Sequence, residues 1–234
     1  MTGADPAVLD ALRWVDLTGV LGNAILGGVI ARTARLDAVG FVVLAIISGF
    51  GGGIIRDTLL QDGPPVALTD TAYIVTALIG AAIAFHVPVE GRTWNRVWPW
   101  IDALALGCWA GAGALKTLEA GLDWLPAIIL GTVTAVGGGM VRDVIMRQVP
   151  SVLGKSPLYA TCAAMAAGVM VIAESLGYAS LGLLLATVVG ASLTLLARWR
   201  NWMLPLEADW SALRRDGERR AHSVTRLRRK RKRD

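Results

Sequence analysis

Two seven-residue stretches decide the fold of this chain: Gly-Gly-Gly-Ile-Ile-Arg-Asp at residues 51–57 and Gly-Gly-Gly-Met-Val-Arg-Asp at residues 137–143. Each closes a long apolar run. Three consecutive glycines cost about 1 kcal/mol each relative to alanine inside a helix, and they uncover the backbone and favour a kink. The sequence therefore predicts two apolar helices, each weakened at one point and followed by one basic and one acidic residue.

The composition around these motifs is that of a membrane protein. Of 234 residues, 54% are hydrophobic and 18% are charged, against about a quarter charged in soluble domains. Residues 1–197 carry 10 Lys and Arg against 13 Asp and Glu, whereas residues 198–234 carry 13 against 5. This excludes a soluble enzyme, a collagen-like fibre and a disordered protein. The sequence offers no His/Cys cluster, catalytic triad or phosphate loop, so we expect no enzyme activity, cofactor or metal site.

About 20 mostly apolar residues are needed to cross a bilayer, and the fold expected is an all-α membrane protein with seven transmembrane helices. Their predicted positions are 14–34, 38–60, 68–88, 98–119, 124–147, 156–174 and 176–198. Most loop Lys and Arg residues fall on one side of this arrangement, the side that is normally cytoplasmic. We therefore expect a multi-pass protein of the inner (plasma) membrane, with residues 1–13 outside, a cytoplasmic loop at 89–97 and a cytoplasmic tail at 199–234.

The chain also repeats itself at an offset of 86 residues without a gap. The matched residues include Trp14 and Trp100, Asp16 and Asp102, the two motifs, Pro64 and Pro150, and Tyr73 and Tyr159. Each copy, at 14–88 and 98–174, contains three predicted helices, so the second copy enters the membrane from the opposite side. Inverted repeats of this kind are typical of transporters, whose sites lie at the repeat interface. The seventh helix lies outside the repeat.

The candidate ion path comprises the two glycine triplets and two hydroxyl residues. Exposed carbonyls of broken helices could replace the water around a cation. Close packing of helices through small residues is the alternative interpretation of the triplets. The path residues are Gly51, Gly52, Gly53, Gly137, Gly138, Gly139, Ser48 and Thr134.

A charged gate or network is predicted beside the triplets, since ionisable residues within apolar spans are functional candidates by default. Its members are Arg56, Asp57, Arg142, Asp143, Asp16 and Asp102. Equal depth in the membrane predicts that Asp16 pairs with Arg56 and that Asp102 pairs with Arg142. A structural ion pair that fixes helix register is the alternative.

The doubled motif and the three-plus-three repeat resemble the bacterial branch of the trimeric intracellular cation (TRIC) channels, over residues 12–198. The resemblance implies a homotrimer with one pore per protomer. It further implies that glycine kinks in predicted helices two and five line this pore, which conducts chiefly K⁺ and some Na⁺. A secondary transporter for a small zwitterion such as glycine is the alternative, because a carrier can use the same broken helices.

The basic tail ends in an Arg- and Lys-rich run at residues 226–233. We expect it to be disordered and to contact anionic lipid, at about 1 kcal/mol for each basic residue near the surface. Membrane lipids, one of them bound, are the other expected partners, and nucleic acid is not expected because no folded reader module accompanies the charges.

Overall fold

The computed structural model describes residues 6–89, 91–154 and 158–203, and within them every regular element is a helix. The helices are α1 (Pro6–Thr33), α2 (Ala38–Leu60), α3 (Val66–Thr69), α4 (Thr71–His86), α5 (Arg92–Glu119), α6 (Trp124–Ile145), α7 (Tyr159–Ser175) and α8 (Ala179–Arg200), with a 3-10 turn at Ser151–Leu153. The expectations for the basic tail beyond residue 203 lie outside the described residues.

Several predicted helix bounds are wrong, and the largest differences are at the starts of the helices predicted from residues 14 and 98. Helix α5 begins at Arg92 and continues through Pro99, and α1 is already helical at Pro6. Charged residues end an apolar span but not a helix, because a polar helix can extend beyond the lipid. The predicted helix 68–88 is divided in two, since the Asp70 carboxylate caps α4 by accepting from Ala72 N at 3.0 Å.

Within the described ranges, four helices are long and apolar enough to cross a membrane: Leu12–Thr33 of α1, α2, α6 and α8. Helices α4 and α7 are apolar but shorter. Helix α5 has 28 residues, with Arg92 and Arg96 near its start and Lys116 and Glu119 near its end. The chain is thus an all-helical protein with several apolar spans.

The helices form two groups. In the first, α1 packs against α2 and α4; in the second, α5 packs against α6, α7 and α8. Alanines dominate the buried core of both groups, and small side chains allow helices to approach closely. The groups meet chiefly where α2 crosses α6 and α1 contacts α5.

Matched aspartates start the two motif helices. The Asp37 carboxylate accepts from Gly40 N at 2.9 Å at the start of α2, and Asp123 accepts from Trp124 N at 2.7 Å at the start of α6. Such N-caps stabilise a helix by about 1 kcal/mol. They fix where each motif helix begins and therefore how far along it the glycines lie.

Candidate functional site

Helices α2 and α6 cross through their glycine triplets with backbone against backbone. A Cβ atom added to Gly51 would lie 3.3 Å from Gly138 Cα, and one on Gly137 would lie 3.0 Å from Gly52 Cα. The middle glycines approach most closely. A Cβ on Gly138 would lie 2.7 Å from the carbonyl oxygen of Ile47 and 3.0 Å from that of Ser48. Only glycine fits this crossing without a shift of the backbone.

The third glycine of each triplet has a different environment. A Cβ on Gly53 would meet only Arg56 Nη2 at 3.9 Å, and one on Gly139 would meet only Arg142 Nη2 at 3.6 Å. These are ordinary contact distances with the ends of flexible side chains. Of each triplet, two glycines thus serve close packing and the third lies under the arginine of its own motif.

The two motif helices differ in backbone geometry. Helix α2 leaves helical geometry at Phe50, with φ −145° and ψ 16°, directly before its triplet. Helix α6 is continuous from Trp124 to Ile145. The expectation of a kink in both helices is therefore corrected to a break in α2 alone, because three glycines weaken a helix without obliging it to bend.

Each motif arginine binds the aspartate that follows it. Arg56 Nη2 lies 2.8 Å from Asp57 Oδ1, and Arg142 Nη2 lies 2.7 Å from Asp143 Oδ1. All four side chains are buried. A buried charge without a partner is costly, so each arginine and aspartate depend on one another.

The second oxygen of each motif aspartate holds the segment that follows the helix. Asp57 Oδ2 accepts from Val66 N at 2.9 Å, and Asp143 Oδ2 accepts from Ser151 N at 3.0 Å. A proline with φ near −50° precedes each donor, Pro65 in one case and Pro150 in the other. The gapless alignment of Pro64 with Pro150 is therefore wrong in the structure, where Pro65 is the equivalent residue.

The predicted ion pairs of Asp16 with Arg56 and of Asp102 with Arg142 are also wrong. Asp16 accepts from Tyr73 Oη and, at 2.6 Å, from Trp109 Nε1. Asp102 accepts from Tyr159 Oη at 2.7 Å and from Arg198. Each arginine is instead bound by the aspartate that follows it in the sequence, which is close to it whatever the tertiary fold.

The charged network contains two further basic residues that were not predicted from the sequence. Lys116 Nζ lies 2.8 Å from Asp57 Oδ1 and links α5 to α2. Arg198 of α8 forms an ion pair with Asp102 of α5. Neither residue has a basic counterpart 86 positions away, since Ile30 and Ala112 stand there. The internal repeat therefore does not predict either residue. The position of Lys116 next to an apolar run was the one feature of the sequence that could have indicated its role.

Two cavities flank the helix crossing. The larger, about 510 Å³, is lined by Asn23, Ser48, Gly139, Asp102, Arg142 and Arg198 among others. The smaller, about 220 Å³, is lined by Asp16, Gly53, Arg56, Asp57, Tyr73 and Lys116 among others. They adjoin opposite halves of α1 and α5, and they share Gly49, Phe50, Trp109 and Thr134 as lining residues.

The two predicted hydroxyl residues lie at the crossing, at equivalent positions of the repeat. Ser48 lines the larger cavity, and its buried hydroxyl has no hydrogen-bond partner there. Thr134 lines both cavities and donates to Leu130 O at 2.7 Å. Within residues 6–89, 91–154 and 158–203, no group of three or more His, Cys, Asp or Glu residues comes together as a metal site would require.

Comparison with known proteins places this arrangement in a family. A family model described as glycine transporter matches the chain twice, at residues 13–88 and 99–175. The UPF0126 inner membrane protein YadS of Escherichia coli is 33% identical over 82% of this chain and 93% of its own length.

Two solved structures share the fold. One, from work on conductance through TRIC cation channels, is 30% identical with a TM-score of 0.78, covering 84% of this chain and 97% of that one. The other, the TRIC trimeric intracellular cation channel orthologue from Rhodobacter sphaeroides, is 28% identical with a TM-score of 0.71, covering 81% and 98%. Both solved proteins are ion channels and not enzymes, which confirms the expectation that this chain is not an enzyme. The chain is thus a member of the glycine transporter (UPF0126) family of membrane proteins, which has the TRIC channel fold.

Proposed function

We propose that this protein is a homotrimeric channel for monovalent cations, preferring K⁺ and admitting Na⁺, with one path in each protomer between α2 and α6. The observation that carries the proposal is the pair of cavities beside the helix crossing, each lined in part by charged side chains, which have Gly49, Phe50, Trp109 and Thr134 in common. Similar solved chains are TRIC cation channels.

The residues between the cavities suit a gate. Phe50 and Trp109 supply two large rings, while Gly49 and Thr134 supply little bulk. The helix break falls at Phe50 itself, so this ring lies at the point where α2 can change direction. Movement of these rings would connect a path of about 510 Å³ on one side with one of about 220 Å³ on the other.

The charges along this path suit the passage of cations. Arg56 and Arg142 would repel a cation, but each is neutralised by the carboxylate that follows it. The backbone carbonyls of Ile47 and Ser48 face the middle glycine Gly138, which has no side chain to cover them. Carbonyl oxygens of this kind can replace the hydration shell of K⁺.

The membrane arrangement proposed with this function has seven spans, an inverted three-plus-three repeat and a final helix outside it. The matched contacts of Asp16 with Tyr73 and of Asp102 with Tyr159 support the repeat. We place the protein in the inner membrane, where its Escherichia coli relative is named, with the N-terminus outside, the C-terminus cytoplasmic and lipid around the bundle.

Planar-bilayer recording of the purified protein tests the proposal. Across a KCl gradient, the proposal predicts unitary currents that reverse near the K⁺ equilibrium potential, with a smaller shift when Na⁺ replaces K⁺. Saturable uptake of radiolabelled glycine into vesicles without unitary currents would contradict the channel and support the carrier instead. Empty vesicles and a Gly138→Val variant, which blocks the helix crossing, are the controls.

A further inference from the structure

Three carboxylates line the two cavities, and they are held in different ways. Asp57 is bound by Arg56 and Lys116 in the smaller cavity, and Asp102 is bound by Arg198 in the larger. Asp16, in the smaller cavity, has no basic group within 4.0 Å in the part of the chain that the structure describes, and the nearby Arg13 is bound to Asp70 at 2.7 Å.

Neutral donors fix the Asp16 carboxylate in place. Tyr73 Oη donates to Oδ2, and Trp109 Nε1 donates to Oδ1 at 2.6 Å. A carboxylate has about four acceptor positions on its two oxygens, so two remain. Asp16 is partly buried and lines the cavity, so an ion that enters there would lie beside this carboxylate.

The geometry points to Asp16 as the residue that selects cations on the side of the smaller cavity. This inference rests on the proposed channel function. Arg56 and Lys116 line the same cavity, but both are held by Asp57. A carboxylate that no basic group contacts raises the local concentration of K⁺ and lowers that of Cl⁻. Asp102, the equivalent residue of the second repeat, does not do so because Arg198 cancels its charge. The two mouths of the path therefore attract cations unequally.

Trp109 links this carboxylate to the boundary between the cavities. Its indole ring lines both cavities while its Nε1 is bound to Asp16. A cation bound to Asp16 thus lies directly beside the ring that would have to move for it to pass.

The test compares Asp16→Asn with the wild type in planar bilayers at two salt concentrations. Asparagine keeps one acceptor oxygen for Trp109 Nε1, and its NH2 group can donate to Tyr73 Oη, but the charge is removed. At about 0.01 M KCl, where the Debye length is about 30 Å, the K⁺ current should fall about fivefold and the K⁺ over Cl⁻ permeability ratio should fall with it. At about 1 M KCl, where the Debye length is about 3 Å, the difference should nearly vanish.

Two matched variants keep the inference falsifiable if Asp16→Asn does not fold. Asp123→Asn removes an exposed carboxylate that lines neither cavity and keeps a good N-cap residue at the start of α6, so its permeability ratio should equal that of the wild type. Arg198→Gln frees the charge of Asp102 and should raise the low-salt K⁺ current by about the same factor that Asp16→Asn lowers it.

An unchanged low-salt ratio in Asp16→Asn, a loss equal at both salt concentrations, or no gain in Arg198→Gln would overturn the inference. Failure of the proposed function is distinguishable, because then the wild type itself would give no cation-selective unitary current.

Discussion

In the first repeat the motif aspartate, Asp57, contacts two basic side chains, Arg56 and Lys116. Among the residues that the structure describes, its counterpart Asp143 forms an ion pair with Arg142 alone. The order is reversed at the other acidic position. Asp102 has a basic partner in Arg198 and Asp16 has two neutral ones. The repeat thus reproduces the carboxylates and the tyrosines, and the added cations come from positions that it does not share.

This difference teaches that the two halves of the site share the same backbone contacts but differ in their ion pairs. Both motif aspartates hold the segment after a proline, and both middle glycines meet a carbonyl of the opposite helix. Lys116 pairs with Asp57 and Arg198 pairs with Asp102, and these two carboxylates are not equivalent positions of the repeat. An inequality of this kind would give a channel two unlike mouths from a nearly symmetric frame.

The largest effect should come from removing the motif carboxylates. Asp57→Asn leaves Arg56 and Lys116 without a carboxylate, and we expect it to lower the free energy of unfolding by about 4 kcal/mol. Asp143→Asn leaves one arginine and should cost less. Thermal unfolding in detergent measures both. Adding Lys116→Met to Asp57→Asn should restore part of the loss, and equal stability of the two single variants would refute the charge asymmetry.

The glycine crossing should respond almost equally in the two repeats. Gly52→Ala and Gly138→Ala place a methyl group against carbonyl oxygens of the facing helix, and each should cost about 2 kcal/mol from overpacking. Gly53→Ala and Gly139→Ala are the matched controls, since their Cβ atoms meet only arginine side-chain ends. These controls should unfold at or above the wild-type temperature, and a similar loss in all four would show that the crossing is not closely packed.

The bond from each motif aspartate to the following segment can be removed with proline. Val66→Pro and Ser151→Pro delete the backbone N–H that donates to Asp57 and Asp143, while proline suits the first position of a helical turn. Each should cost about 1.5 kcal/mol, as a hydrogen bond to a charged group does. Ser151→Ala, which keeps the N–H, should leave the unfolding temperature unchanged. A loss in only one proline variant would contradict the equivalence of Pro65 and Pro150.

The smallest expected effect is the difference in stability between the variants Tyr73→Phe and Tyr159→Phe. Tyr73→Phe leaves Asp16 with Trp109 alone, whereas Tyr159→Phe leaves Asp102 with Arg198. Because a charged donor satisfies the carboxylate better, we expect Tyr73→Phe to cost about 1 kcal/mol more. Chemical denaturation resolves a difference of this size. A larger loss in Tyr159→Phe would reverse the assigned order.

Much of the fold was predictable, because apolar runs, the offset of 86 and the doubled motif are properties of the sequence itself. Helix ends such as Arg92 were not, since a helix can continue into a polar segment. Positions of the site residues followed from the motif, but their partners did not. Arg56 and Asp57 are neighbours in sequence and bind locally, and the choice of Lys116 or Arg198 depends on how helices pack.

Accessibility of the two cavities to a permeant-sized cation tests the central claim most directly. With Cys108 and Cys162 replaced by alanine, Ala112→Cys places a thiol in the smaller cavity and Met140→Cys places one in the larger. A cationic, membrane-impermeant thiol reagent should reduce the unitary K⁺ current of Ala112→Cys only from one side of the bilayer and that of Met140→Cys only from the other. Unchanged currents after both modifications would show that ions do not pass through these cavities.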